Sequence, residues 1–309
     1  MAKVKITGHA SGTGVFTVTA PNSNTDRTIT LPDATATLAT TAEAFNPDAA
    51  QVFNESGADV DFRVESDTVT HALFVDGATG AVGLGTPASN YNSTADNLVV
   101  YDDTNHAGIT IANGAANKVG AIYFADGGSG TAEYEGYIEY NHSNNSFNFG
   151  TNHASRMLID STGAVTMPAQ PAFLAQLGST QSDVATDSEV TVLFSTEIFD
   201  QNSDFNTGNY TFTAPVTGKY QFNVNIRLDN MDTGANYYHM YFKTSNRIYY
   251  AIIDPLFTAD PQYYSMPLSV LADMDANDTA IVKMYAAGGS AQMDISAGAD
   301  SHFSGYLVC

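Results

Sequence analysis

Short runs of alternating apolar and polar residues, separated by turn-forming residues, constrain this fold more than any other feature of the sequence. In one such run, Tyr238, Met240 and Phe242 alternate with His239 and Tyr241. A period of two places neighbouring side chains on opposite sides of an extended strand, and clusters of Gly, Pro, Asn and Asp between runs are typical of turns. Because such runs recur along the whole chain, the sequence predicts an all-β protein.

The charge composition argues against a nucleic-acid-binding role. The chain carries 33 Asp and Glu against 11 Lys and Arg, a formal net charge of −22 over 309 residues. Affinity for phosphate backbones comes mostly from Lys and Arg, which this chain lacks in number. Only 14% of the residues are charged, so the polar surface must consist largely of Thr, Ser, Asn, Gly and Tyr, as on many β-rich exteriors.

The sequence predicts neither membrane insertion nor a disulfide framework. No apolar run approaches the roughly 18–20 residues that a membrane helix needs, and the first residues lack the continuous apolar core of a secretory signal. We therefore expect synthesis in the cytoplasm without a signal peptide. The single cysteine, Cys309, excludes a disulfide within the chain and leaves either a free thiol or a bond between chains.

Changes in composition divide the chain into residues 1–51, 52–170 and 171–309. Residues 1–51 contain predicted short strands and a linker. Within the second segment, residues 73–82 and 157–165 each combine an apolar strand, a turn that starts at Asp and closes at Gly, and a return strand, which is a hairpin signature. Because few strands here are long or fully apolar, we expect copies of the chain to bury them against one another in an elongated shaft.

The third segment, residues 171–309, is richer in aromatic residues and has longer strands. In residues 248–253 both sides of the predicted strand are apolar or aromatic, so both sides are expected to be covered. In a sandwich of two sheets, one side of such a strand meets the other sheet. We expect the opposite side to meet a neighbouring subunit.

The spacing of seven residues in the third segment carries a family resemblance. They are Phe194, Asp200, Phe205, Phe212, Gly218, Tyr220 and Phe222. This order resembles the signature of the complement-one-q globular head, with its last aromatic position occupied by Val224, and residues 303–307 are similar to the closing strand of that family. The resemblance implies a TNF-like jelly-roll sandwich of ten strands that forms tight trimers.

Shorter matches resemble bacteriophage fibre proteins. Residues 12–22 and 27–33 resemble a segment that recurs in tail fibres, and residues 156–160 with Gly163 resemble the strand-turn units that precede the terminal domain of a fibre. The resemblance implies an elongated homotrimer on the exterior of the virion. In it, residues 1–51 attach to other virion proteins of the head or the tail, residues 52–170 form the shaft, and residues 171–309 form a C-terminal knob.

Two acidic strings of the knob are candidate calcium ligands. They contain Asp229 with Asp232, and Asp273 with Asp275 and Asp278. Closely spaced carboxylates in turns suit a hard cation such as Ca²⁺, and the resemblance to the complement-one-q family implies calcium near the trimer apex. Neither string fits the helix–loop–helix calcium pattern, and Asp278 also suits a plain turn. The sequence therefore predicts no cofactor other than Ca²⁺.

Three tyrosine pairs supply candidate receptor contacts, namely Tyr237, Tyr249 and Tyr263 with their neighbours. In a strand, one member of each pair faces outward, and an exposed tyrosine offers a flat ring and a hydroxyl for stacking on a host surface glycan or packing on a protein. The alternative for each is packing in the core or at a trimer interface.

No catalytic motif is present, and the chain is expected not to be an enzyme. There is no phosphate-binding loop and no nucleophile elbow. Glu133, Glu135 and Glu139 could resemble a glycosidase carboxylate pair, but a solvated outer face, with Tyr134, Ile138 and Tyr140 facing inward, explains them more simply.

The expected function is host-surface attachment by the knob of a trimeric phage fibre. One alternative is a structural head-fibre or decoration protein whose knob only trimerises, and another is a fibre that hydrolyses polysaccharide. Because an acidic chain repels an anionic cell envelope, binding is expected to depend on divalent cations or salt.

Overall fold

The computed structural model describes residues 11–14, 17 and 57–309. The described part is all-β, with two short 3-10 helices, Ala88–Asn90 and Gly130–Glu133, which confirms the predicted fold class. The strands predicted within residues 1–51 lie outside the described residues. The chain divides into two compact units, residues 1–109 and 110–309. Among the described residues, no helix has the length and apolar character needed to cross a membrane.

The first unit contains one four-stranded sheet in the order β1-β2-β3-β4. Its strands are β1 (Phe62–Val64), β2 (Leu73–Val75), β3 (Val82–Leu84) and β4 (Leu98–Val100). The turn between β2 and β3 is held by Asp76, whose carboxylate accepts the backbone N–H groups of Ala78 and Thr79. These hydrogen bonds, that of Thr79 first, lower the pKa of Asp76. The predicted hairpin at residues 73–82 is confirmed.

The second unit begins with a five-stranded antiparallel sheet in the order β5-β6-β7-β8-β9, called the middle sheet below. Its strands are β5 (Val119–Phe124), β6 (Gly136–Asn141), β7 (Ser146–Thr151), β8 (Ala154–Ile159) and β9 (Val165–Thr166). The turn between β8 and β9 is held in the same way as the turn between β2 and β3, since the Asp160 carboxylate accepts the N–H groups of Thr162 and Ala164. The second predicted hairpin is therefore also confirmed.

The remainder of the second unit is a sandwich of two six-stranded sheets. In the first sheet β12-β10-β21-β15-β18 are neighbours and β20 pairs with β15; in the second, β13-β14-β19-β16-β17 are neighbours and β11 pairs with β19. The strands are β10 (Ala172–Leu177), β11 (Val190–Thr191), β12 (Thr196–Asp200), β13 (Phe205–Asn206), β14 (Thr211–Thr213), β15 (Gly218–Asp229), β16 (Tyr237–Thr244), β17 (Ile248–Ile253), β18 (Tyr263–Met274), β19 (Thr279–Ala287), β20 (Asp294–Ile295) and β21 (Gly298–Leu307). The predicted jelly-roll sandwich is confirmed, with two-residue pieces such as β11 and β20 in addition to its longer strands.

An aromatic cluster fills the space between the two sheets. Phe303 on β21 lies at its centre, with its ring centroid 4.9 Å from that of Phe173 and 5.7 Å from that of Phe242. Five aromatic residues of the seven-residue signature are buried in the same core: Phe194, Phe205, Phe212, Tyr220 and Phe222. Their spacing in the sequence therefore follows from the fact that all five side chains point into the same core.

The two signature residues that are not aromatic shape the backbone around this core. The Asp200 carboxylate accepts N–H groups of Asp204 and Phe205, which fixes the loop that leads into β13. Gly218 lies against the end of the chain, where a Cβ atom would come within 2.6 Å of the Cys309 carbonyl oxygen. Only glycine fits such a close approach of two backbones.

Candidate functional site

The outer side of the second sandwich sheet carries a continuous aromatic surface. Strand β16 places Tyr237, His239 and Tyr241 outward because the alternate residues of the same strand are buried in the core. Antiparallel pairing sets Tyr250 of β17 opposite Tyr241, and Tyr285 of β19 opposite His239. We call these five side chains the aromatic face.

The rings of the aromatic face form a connected array with His239 near its centre. The ring centroid of His239 lies 5.1 Å from Tyr237, 5.1 Å from Tyr241 and 5.4 Å from Tyr250. Tyr237 stacks on Tyr285 at 6.1 Å with an interplanar angle of 25°. Tyr250 is 54% exposed, so its ring is open to solvent. Such offset and edge contacts hold the rings in place while their outer surfaces stay free.

Two lysines and one glutamate border the aromatic face. The Lys243 ammonium lies 2.5 Å from a Glu189 carboxylate oxygen and 5.1 Å from the Tyr241 ring centroid. The Lys283 ammonium lies 3.4 Å from the same carboxylate. The hydrogen bond from Lys243 lowers the pKa of Glu189. Two cations thus share one anion at this edge of the aromatic face.

His239 gives the aromatic face a pH dependence. Burial among the neighbouring rings lowers its pKa, so the folded state favours the neutral imidazole. Its Nδ1 lies 3.2 Å from the Tyr241 hydroxyl. Above about pH 6.5 the ring is neutral in both states; as the pH falls through this value, the unfolded chain takes up the proton first and stability is lost.

We therefore expect the denaturant midpoint of the C-terminal domain to depend less on pH in a His239→Gln variant than in the parent chain. The measurement compares midpoints at pH 7.5 and pH 5.5, at fixed protein concentration. His302→Gln, which changes another histidine of the same domain, is the control and should follow the parent. If the denaturant midpoints of the parent and of His239→Gln depend equally on pH, His239 is not the group responsible for the pH dependence.

The three tyrosines predicted as receptor contacts lie in three different surroundings. Tyr237 belongs to the aromatic face. Tyr249 does not point outward: β17 pairs it with Phe242, and its ring packs 6.0 Å from that core residue. The outward member of this pair is Tyr250. Tyr263 is 65% exposed on the other sheet, beneath the Arg227 guanidinium at 4.6 Å.

The predicted calcium ligands lie at opposite ends of strand β15. Asp229 ends this strand and pairs with Tyr263, whereas Gly218 starts it beside Met274, next to the other acidic string. At about 3.3 Å per residue, the two ends are separated by about 36 Å. The two strings therefore do not combine into one site.

Four of the five candidate carboxylates accept protein donors. Asp229 pairs with Arg227, and the Asp273 carboxylate pairs with Arg247, which lowers the pKa of Asp273. Asp232 accepts the backbone N–H of Ser290, which lowers its pKa, and Asp278 accepts the N–H of Asp275. Within the described ranges, no three His, Cys, Asp or Glu side chains are grouped to hold a metal ion. Calcium binding stays a prediction.

The three glutamates weighed as glycosidase carboxylates are not on one strand. Glu133 ends a 3-10 helix, Glu135 precedes β6, and only Glu139 lies within β6. The Glu139 carboxylate accepts the Tyr123 hydroxyl, and Glu135 lies 3.4 Å from His153. On β6 Ile138 faces away from Glu139, as predicted, but Ile138 and Tyr134 are both exposed within one chain.

Sequence reasoning missed Tyr250, His239 and Tyr285 as members of one surface. The alternation in residues 237–243 was the available signal, because the burial of Tyr238 and its alternates forces the intervening residues outward. The position of Tyr285 depends on the pairing of β19 with β16, which one sequence does not reveal.

Comparisons with known proteins identify the C-terminal domain. Residues 172–308 match the family model of the C1q domain. Among solved structures, the globular domain of zebrafish complement 1qA is 16% identical to this chain, with a TM-score of 0.35. The match covers 45% of this chain and 98% of that structure. The structure of murine APRIL at pH 8.5 is 11% identical, with a TM-score of 0.33, and the match covers 45% of this chain and 99% of that structure. The structure of Eiger TNF from S. frugiperda is 12% identical, with a TM-score of 0.33, and the match covers 45% of this chain and 91% of that structure. No match to a curated protein was found. The predicted complement-one-q and TNF-like domain is confirmed by the family match.

Proposed function

We propose that this chain, whose residues 172–308 form a C1q/TNF-like domain, is a non-enzymatic fibre protein on the exterior of a bacteriophage particle. It assembles as a homotrimer and attaches to the host cell by binding a surface saccharide on the aromatic face. Residues 1–51 dock on other virion proteins, and the intervening residues set the reach of the fibre.

The domain family supports the homotrimer, since C1q/TNF-like domains form homotrimers. The fibre assignment is supported by the sequence resemblance of residues 12–22, 27–33 and 156–160 with Gly163 to fibre segments. Since the chain has a net charge of −22, a role in nucleic-acid binding inside the particle is disfavoured.

The aromatic face carries the proposal of saccharide binding. The core of the sandwich is complete without these side chains, so packing within one chain does not explain five outward aromatic rings on adjoining strands. A tyrosine ring stacks on the C–H face of a sugar while its hydroxyl donates or accepts a hydrogen bond. Lys243 and Lys283 beside the rings suit a carboxylate or another acidic group on the saccharide.

Because a homotrimer carries three copies of the aromatic face, each single saccharide contact can be weak and the particle still binds the cell. A stacked ring contributes about 1 kcal/mol, or about fivefold in affinity at a single site. When three sites are linked, the second and third contacts become intramolecular, and the overall affinity rises without any new contact.

The proposal is tested with the labelled full-length protein on an array of bacterial surface polysaccharides. We expect binding to at least one acidic saccharide, and a loss of about thirtyfold per site in the double variant Tyr250→Ala and Tyr285→Ala, about fivefold for each ring. Because both rings lie outside the core, the variant should remain folded, although it loses the ring contacts of Tyr250 with His239 and of Tyr285 with Tyr237.

Tyr263→Ala is the control, because this tyrosine is 65% exposed, against 54% for Tyr250, but lies on the other sheet. Equal losses in the control and the double variant would contradict binding by the aromatic face. Failure of the parent to bind any polysaccharide, together with unchanged phage adsorption after replacement of the face, would favour the structural decoration protein. Release of sugar from the array would favour the hydrolase.

A further inference from the structure

One side of the middle sheet, residues 119–166, is mainly apolar. Alternation along β5 to β9 places Ile122, Phe124, Ile138, Phe147, Phe149 and Val165 on this side. We call these six side chains the apolar face. The opposite side is mixed, since it carries Glu139 and Asn148 beside the buried Tyr137.

Most of the apolar face is uncovered within a single chain, since Ile122 is 50% and Phe124 is 59% exposed. Near Gly120 of β5, the side chains of Ile111 and Asn113 lie over this side of the sheet. The opposite side, by contrast, is locally packed: the Tyr137 ring lies over Gly150, where a Cβ atom would come within 2.1 Å of the ring. A contiguous uncovered apolar surface of this kind marks an interaction site.

We propose that the apolar face is covered by the same face of two other copies of this chain, so that three middle sheets close around a shared apolar core. This interface is separate from that of the C-terminal domain. The inference rests on the homotrimer of the proposed function and assigns a second contact surface to it.

The short connection to the C-terminal domain supports copies of the chain as the covering partner. Strand β9 ends at Thr166 and β10 begins at Ala172, so the connection spans at most about 20 Å. It is also fastened to the C-terminal domain, because the Gln201 side chain donates to the carbonyls of Met167 and Gln170. When three C-terminal domains associate, their middle sheets are therefore held close together at high effective concentration.

The face is too small to hold a trimer by itself. Five strands at about 4.8 Å spacing and six residues at about 3.3 Å give a face of about 450 Å² per copy, so three copies bury about 1,350 Å² in three pairwise contacts, or about 450 Å² per pair. Each pairwise contact is below the range of about 1,200–2,000 Å² of an independently stable interface, so the middle sheets associate only while the C-terminal domains hold the copies together.

Charge favours a self-association at this face. Copies of a chain with a net charge of −22 repel one another over most of their surface. The apolar face has no charged residue, whereas Glu139 lies on the opposite side. Copies can therefore approach closely here without burying unpaired charges.

The experiment places one spin label on either side of strand β6 in the full-length chain, after Cys309→Ser removes the native thiol. Ile138→Cys carries the label on the apolar face, and Glu139→Cys, its neighbour on the opposite side, is the matched control. Sheets packed face to face lie about 10 Å apart. We therefore expect dipolar broadening between copies at position 138 and none at position 139, while light scattering gives three copies for both.

The outcomes separate this inference from the homotrimer itself. Three copies by light scattering without broadening at 138 overturn the middle-sheet interface and leave the trimer standing. An immobile but unbroadened label at 138 overturns it too, and assigns the cover to residues 1–56 or to another protein. A single copy by light scattering overturns both proposals.

A second pair of variants tests the same interface without labels. Phe149→Lys places a charge on the apolar face, and Asn148→Lys places the same charge on the opposite side. We expect hydrogen-exchange protection of residues 119–166 to fall by about tenfold or more in Phe149→Lys only. Protection of residues 172–308 should stay unchanged, and equal effects of the two variants would contradict the proposal.

Discussion

Replacing Phe303 by alanine is expected to destabilise the C-terminal domain by about 3–5 kcal/mol, the range for a buried aromatic residue in a packed core. The Phe303 ring is fully buried and contacts the rings of Phe173, Phe205 and Phe222, from both sheets of the sandwich. Its loss leaves a cavity that neither sheet can close without moving the other. Denaturant unfolding followed by tyrosine fluorescence measures the change.

Leu256→Ala is the control for this truncation. Leu256 is 87% exposed, so its removal should change the free energy of unfolding by no more than about 0.5 kcal/mol. A cost for Phe303→Ala below about 1.5 kcal/mol would mean that the two sheets are less tightly packed than the ring contacts indicate.

Gly85→Ala is expected to disrupt the four-stranded sheet of the first unit. Gly85 has a φ of +86°, and a Cβ atom there would lie 2.1 Å from the carbonyl oxygen of Tyr101. The left-handed backbone costs about 1–2 kcal/mol for a residue with a side chain, and the collision with a neighbouring backbone adds about 1–3 kcal/mol. The sum exceeds what a small sheet tolerates, so hydrogen exchange of residues 73–101 should lose its protection.

Gly80→Ala separates these two costs. Gly80 also has a positive φ, +75°, but a Cβ atom there would have nothing within 4 Å. This variant should therefore show only the backbone cost of about 1–2 kcal/mol. Equal loss of protection in the two variants would show that backbone strain, rather than the contact with Tyr101, explains the requirement for glycine at position 85.

The sequence predicted the features that depend on local pattern. The hairpins at residues 73–82 and 157–165 were predictable because Asp76 and Asp160 each fold their own turn by accepting N–H groups two to four residues ahead. The sandwich core was predictable because the spacing of Phe212, Tyr220 and Phe222 matches that of a known family.

The features that depend on pairing between distant strands were not predictable. The alternation of β17 did not decide which of Tyr249 and Tyr250 faces outward, because both sides of that strand are apolar; its register against Phe242 does. Tyr285 joins the aromatic face only through the pairing of β19 with β16, and the length of β15 separates the two acidic strings.

The position of Cys309 has a practical consequence for attaching a peptide to this domain. Strand β10 begins beside the end of β21, since Ala172 pairs with Tyr306 and the Leu307 N–H donates to the Pro171 carbonyl. The start of β10 and the end of β21 therefore lie at one pole of the domain. A peptide attached at Cys309 would emerge beside the start of β10, and the loops at the opposite pole would remain unobstructed for grafting.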